Sequence, residues 1–210
     1  FKRAIKLDPR MIEANINLGL VFGMLGYWEK ALRCYDQALE ISPNSAEAFN
    51  NRGNALSSLA RHNEAIESLK QAIKINKDYA EPHLNLAFEL LAKGRWTEAW
   101  PEFEWRWKTT QMRRFYRSFE RSQWDGSSNL TATLLVHAEQ GIGDTLNFVR
   151  YLPLVATRVG RLIFECQSTL IGLLANIEGA DQIVTSDDEL PHFDLHVPLL
   201  SLPGIFRTTP

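Results

Sequence analysis

The stretch AEAFNNRGNALSSLARHNEAIESLKQAIKINKDY, residues 46–79, decides the fold, because sliding the chain against itself by 34 residues lays it over the residues on either side. That shift pairs Ala14 with Ala48, Gly19 with Gly53, Ala31 with Ala65 and Ala99, and Tyr35 with Leu69 and Phe103. Ala4, Ala38 and Ala72 share another column, and Pro9 matches Pro43. Small residues at fixed offsets let two antiparallel helices approach closely, while Leu18, Leu20, Leu32 and Leu39 fill the rest of the apolar stripe. Helix pairs are predicted at 12–25 with 28–41, 46–59 with 62–75, and 80–93 with 96–107.

A 34-residue helix pair closed by proline is the signature of tetratricopeptide repeats, so residues 1–107 are expected to form an α-solenoid of a half repeat plus three. In that register Phe1 falls where Tyr35 sits, and the chain is expected to begin inside a repeat, with an apolar face needing cover. One column carries chemistry. Asn17, Asn51 and Asn85 lie on the first helix of each pair, and a carboxamide with one acceptor and two donors can bind a peptide group whatever its side chain. The column resembles the asparagine ladder of the O-linked N-acetylglucosamine transferases, which implies a polypeptide held along the repeats. A polar helix face that merely tolerates asparagine is the plainer reading.

Composition narrows the function classes. With 45% hydrophobic and 23% charged residues the chain is of ordinary globular type, and its net charge of -2 argues against a general nucleic-acid binder. Residues 108–125 hold five basic against two acidic residues, whereas 126–210 hold four against nine. The first of these reads as a basic aromatic linker, in which Arg113, Arg114, Phe115, Tyr116, Arg117, Phe119 and Arg121 alternate charge and ring. Trp96, Trp100, Trp105 and Trp107 crowd the end of the third repeat, where an interface is expected rather than a sugar or base platform. Cys34 and Cys166, one in each half, form no metal or disulfide motif. No apolar run long enough to span a membrane is present, and a cytoplasmic setting is expected.

From Thr131 onward strands and helices are predicted to alternate: strand 132–138, helix 144–157, strand 161–166, helix 168–176, strand 182–185 and a short strand near 194–198. This order predicts βαβ units and a parallel sheet. Ligands of such sheets bind at the carboxyl ends of the strands, where Gln140, Gly141 and Gly143 form a loop after the apolar run Leu134, Leu135, Val136. Both glycines are read as turn formers, and Asp144 as the first helical position. Leu146 stands where a GxGxxG dinucleotide fingerprint needs its last glycine, and no Gly-Lys-Ser/Thr follows for a P-loop. Glu165, ending the next strand, keeps the dinucleotide reading partly matched; a third reading is sugar transfer, with Asp144 as candidate general base and Glu139 and His137 as second choices, and a helix N-cap is the competing role for Asp144. His192, Asp194 and His196 alternate but lack a further ligand, and no metal is expected.

Four segments of this half carry a resemblance: WDG at 124–126, HAEQGIGDTLNFVRYLPL at 137–154, LPHFDLHVPLLSLP at 190–203 and FRTTP at 206–210. They resemble bacterial repeat-containing glycosyltransferases similar to heptosyltransferases and to O-linked N-acetylglucosamine transferases. The resemblance implies a GT-B fold, of which 126–210 would be part of the N-terminal Rossmann-like domain. It also implies a nucleotide-sugar donor with no metal required, a polypeptide or glycan acceptor, and a catalytic base at the Gly143-Asp144 pair. Most donor contacts of such enzymes come from a second domain beyond Pro210, so this stretch alone is not expected to be active. The reading from another class is a non-enzymatic adaptor whose repeats bind peptide and whose α/β domain is degenerate.

Overall fold

The computed structural model describes residues 1–210 except 2, 4–7, 9 and 140. The N-terminal half-repeat, including Ala4 and Pro9 of the two columns above, falls largely on residues outside the described set, as does Gln140 of the loop. The chain divides into two compact units, residues 1–114 with 209–210, and residues 115–208.

The described part of the first unit contains helices α1 (Ile12–Met24), α2 (Trp28–Ile41), α3 (Ala46–Ser58), α4 (His62–Ile75), α5 (Ala80–Ala92) and α6 (Trp96–Phe103). Each packs on the next, and α3 also touches α1 and α5, which lays the first helices of the pairs side by side. Ala31, Ala65, Ala99, Ala38 and Ala72 are fully buried at these crossings. A Cβ on Gly19 would stand 2.5 Å from the Tyr35 ring, and one on Gly53 would stand 2.8 Å from Leu69, so the backbone approach excludes a larger side chain.

The turn inside each pair is the same device three times. Gly26 (φ 75°), Ala60 (φ 57°) and Gly94 (φ 71°) occupy the left-handed position after α1, α3 and α5. The amides of Tyr27, Arg61 and Arg95 reach back to the carbonyls of Phe22, Leu56 and Leu90 at 2.8–2.9 Å, the paired bonds of a Schellman end.

The third pair departs from this pattern at its end. The helix predicted to run to 107 stops at Phe103, and Glu104–Lys108 tightens into a 3-10 helix. Pro101 lies inside α6, where it supplies no amide to the helix ladder. The tightened turn carries Arg106, in the alanine column, into the interior at 0% exposure. Its guanidinium lies 4.8 Å from both the Phe103 and Trp107 rings and donates to Glu104 at 2.8 Å. Trp105 stacks on His83 with ring centroids 3.9 Å apart, and Trp96 and Trp100 meet edge to face at 5.9 Å. These contacts lie within the first unit.

The second unit is a five-stranded sheet in the order β1-β5-β2-β3-β4, formed by β1 (Ser122–Gln123), β2 (Asn129–His137), β3 (Val159–Cys166), β4 (Gln182–Thr185) and β5 (Leu195–Pro198). Every pairing is parallel, as alternating strands and helices predict. β1 lies within the segment read as a linker. The helix predicted at 144–157 is instead α7 (Ile142–Phe148), a 3-10 turn at Val149–Tyr151 and α8 (Leu152–Ala156). Proline at the start of α8 restarts the helix, because Pro153 cannot donate to the turn before it. Likewise 168–176 resolves into a 3-10 turn followed by α9 (Ile171–Leu174), and α10 (Leu202–Ile205) follows β5. Leu135, Ile163 and Val184 build the core of one sheet face with Phe119, Leu190 and Phe193.

Trp124, Tyr151, Phe206 and Thr208 show what three of the quoted motifs do. Trp124 is buried and donates its indole N–H to the Ser127 carbonyl at 2.8 Å. Phe206 packs on Trp124 and Tyr151 with centroids 6.3 and 5.9 Å away, and the Tyr151 and Thr208 hydroxyls are 2.7 Å apart. Gly126 turns the chain at φ 94°, and its carbonyl accepts from Arg158 at 2.9 Å. These motif residues hold the sheet's flank together.

Candidate functional site

The loop after β2 emerges from the central strand at its carboxyl end, and α7 begins at once. Gly141 is the N-cap, with φ -71° and ψ 166°, and its carbonyl accepts from the Thr145 amide at 3.1 Å. Asp144 is therefore the third helical residue, neither the first position nor the cap. Neither Gly141 nor Gly143 has a positive φ, so the turn does not depend on glycine's left-handed freedom. A Cβ at Gly143 would meet nothing within 4 Å, so what glycine provides there is open space over the first turn.

Asp144 is half-buried, and its carboxylate accepts no hydrogen bond among the described residues. Next to it Thr145 is buried and donates to Gln167 Oε1 at 3.0 Å, which ties the helix start to the end of β3. Glu139 is half-buried in the same loop.

His137, the last residue of β2, is buried, and its Nε2 lies 3.3 Å from Nδ1 of His196. The Phe119 ring sits 5.1 Å from His137 and 4.5 Å from His196, covering both. Beside them Glu165, in register with His137, is buried and takes two hydrogen bonds from Arg117 at 2.5 and 2.7 Å. Burial holds the His196 imidazole below the usual histidine range, and the Arg117 charge acts the same way, against a hydrogen bond that the ring donates to the Arg121 backbone carbonyl.

Glu165, Arg117, Phe119 and His196 form a polar and aromatic cluster that was not read from sequence as a unit. The visible signal was the alternation Arg117, Phe119, Arg121, a period of two in a segment read as a linker. Asp194 accepts from the Thr133 amide at 2.8 Å, and among the described residues no group of three potential metal ligands occurs. Burial raises both the Cys34 and Cys166 thiols, which makes each a poor nucleophile at neutral pH.

In the first unit Asn17, Asn51 and Asn85 are half-buried on α1, α3 and α5. Two of them join a chain of carboxamides: Asn85 donates to Asn50 Oδ1 at 2.9 Å, and Asn50 donates to Asn51 Oδ1 at 3.4 Å. Asn50 is buried and also reaches the Tyr79 hydroxyl at 3.5 Å. Asn51 and Asn85 are thus tied to Asn50, while Asn17 has no such bond among the described residues.

Among the described residues no helix is long and apolar enough to cross a membrane. No curated protein shows a significant match to the chain. Solved structures of repeat proteins are similar to about half of it. "Crystal structure of MamA" is 24% identical with a TM-score of 0.48, covering 54% of this chain and 68% of that one. "Crystal structure of YrrB: a TPR protein with an unusual peptide-binding site" is 21% identical with a TM-score of 0.49, covering 53% and 57%. "Second TPR of Spaghetti (RPAP3) bound to HSP90 peptide SRMEEVD" is 22% identical with a TM-score of 0.45, covering 46% and 91%. Residues 10–78 match the tetratricopeptide repeat family model, and the helix pairs continue beyond that match through α5 and α6.

Proposed function

We propose that this chain is part of a repeat-containing glycosyltransferase. In this reading the repeats hold a polypeptide acceptor or a protein partner, and the α/β unit contributes Asp144 as general base toward a nucleotide-sugar donor. The observation that carries it is the setting of Asp144: first turn of the helix after the central strand, at the carboxyl edge of a parallel sheet, half-buried and without a hydrogen bond among the described residues. A base there would take the proton of an acceptor hydroxyl as the new bond to the sugar forms. Open space over Gly143 leaves room for the reacting groups. His137, closed in by Phe119 and His196, supports the sheet end in this scheme rather than meeting substrate. Asn17, Asn51 and Asn85 bind the backbone of the acceptor or partner.

The test is Asp144→Asn in the full-length protein, with release of nucleoside diphosphate measured across a panel of nucleotide sugars. A general base contributes about 10²–10⁴ in rate, so turnover should fall by at least about a hundredfold while donor affinity is kept. Unchanged turnover removes the assignment of Asp144. Absence of turnover by the parent with every donor favours the adaptor.

A further inference from the structure

We infer that the repeat face bearing Asn17, Asn51 and Asn85 takes an extended basic segment with a cationic side chain at about every third residue. This rests on the peptide-binding reading of the repeats and specifies the partner. Residues 13, 17, 20 and 24 of α1 follow a helical stripe, and the repeat register carries it to 47, 51, 54 and 58 of α3 and to 81, 85, 88 and 92 of α5. None of these twelve residues is buried, although the helices that carry them pack tightly on their other sides.

The stripe has a fixed chemical order. Each helix presents a glutamate in its first turn, Glu13, Glu47 or Glu81, and an asparagine one turn later. Beyond these, Leu20, Met24 and Phe88 are 40%, 87% and 51% exposed. None of these twelve residues is a lysine or arginine.

The first-turn glutamates of α4 and α6 are different, whereas Glu29 of α2 also has no ion pair among the described residues. Glu64 and Glu98 are each gripped by the arginine preceding their helix, Arg61 and Arg95, at 2.6 and 2.7 Å. Glu13 and Glu47 have no ion pair among the described residues, and Glu81 accepts only from the Thr110 amide and hydroxyl, both at 3.2 Å. Three uncompensated carboxylates beside open carboxamides and exposed apolar side chains complement a segment that offers cations, peptide groups and apolar side chains in turn. Neighbouring packed helices lie about 8–10 Å apart, and a segment in the extended polyproline II conformation advances about 3.1 Å per residue with every third side chain on one side, which sets the period of three.

The probe is a fluorescein-labelled twelve-residue peptide repeating Lys-Leu-Ser, compared by fluorescence anisotropy with its Glu-Leu-Ser counterpart and with an isomer whose lysines are all at one end. The Lys-Leu-Ser peptide should bind at least tenfold more tightly than either, and its affinity should fall with added salt. The triple variant Glu13→Lys, Glu47→Lys, Glu81→Lys should reverse the preference. The milder Glu→Gln triple, checked for helicity by circular dichroism, should abolish it with the fold intact. Equal binding of all three peptides, reduced in the variant Asn17→Ala, Asn51→Ala, Asn85→Ala, overturns the charge assignment and leaves the peptide-binding face standing. Binding of none of them overturns both.

Discussion

Ala60 is the residue where the chain most plainly departs from its own repeat. Gly26 and Gly94 fill the equivalent turns, while Ala60 holds φ 57° with a Cβ crowded against its own carbonyl. Relief of that strain outweighs the extra freedom glycine brings to the unfolded chain, so Ala60→Gly should stabilise the repeats by about 0.5–1 kcal/mol, read as a rise in urea midpoint with unchanged slope. Arg117 makes the opposite case. Its removal strands the buried Glu165 carboxylate, and with Arg117 itself 43% exposed the cost of Arg117→Ala should be about 2–3 kcal/mol. Chemical denaturation followed on the α/β unit measures it. Neither residue stands out in sequence: the repeat column marks position 60 as a turn, but nothing local shows that Arg117 meets a residue 48 positions on.

Among elements, the third repeat shows how a column can be kept in register and changed in content. Glu89 stands where Val21 and Ala55 stand, and its two oxygens accept from Ser57 at 2.5 Å and His62 at 2.9 Å, linking α5 to α3 and α4. Glu89→Ala leaves those donors unpaired at a tight crossing and should cost about 1–3 kcal/mol in a thermal melt, whereas Ala55→Ser should cost less. In the sheet, His196 supplies the element's pH dependence. Its folded affinity for protons is depressed, chiefly by burial, with His137, Phe119, Arg117 and Glu165 around it. The unfolded chain protonates this group first, near pH 6.5, so its stabilising contribution is complete above that value and is lost as pH falls below it. The Tm of the α/β unit should drop between pH 7.5 and 5.5, and His196→Gln should show a smaller drop. Helix lengths here were only half legible: 46–58 and 62–75 agree with the spacing, but the breaks at Phe103 and Tyr151 arise where prolines and buried rings tighten the turn.

At the scale of the whole molecule, the proposal divides the work between two units: repeats for holding a polypeptide, sheet for chemistry. The asparagine triple variant should therefore raise KM for a polypeptide acceptor by tenfold or more and leave kcat unchanged, while Asp144→Asn lowers kcat at unchanged KM. Steady-state kinetics on the full-length protein separates the two, and a loss of kcat in the asparagine variant counts against the division.

Periodicity alone determined the repeats, since a 34-residue spacing of small residues dictates where helices cross whatever the remaining residues are. It also determined the alternation that yields a parallel sheet. Tertiary structure alone decided that Asp144 sits inside the first turn rather than capping it, because the start of α7 depends on the extended Gly141 that ends the loop. Only the fold could decide that His137 and His196, 59 positions apart, share one buried site under Phe119. Contacts between residues far apart in the chain depend on strand order, β1-β5-β2-β3-β4, which places β5 beside β2 although two strands intervene in the chain, and no local pattern encodes it.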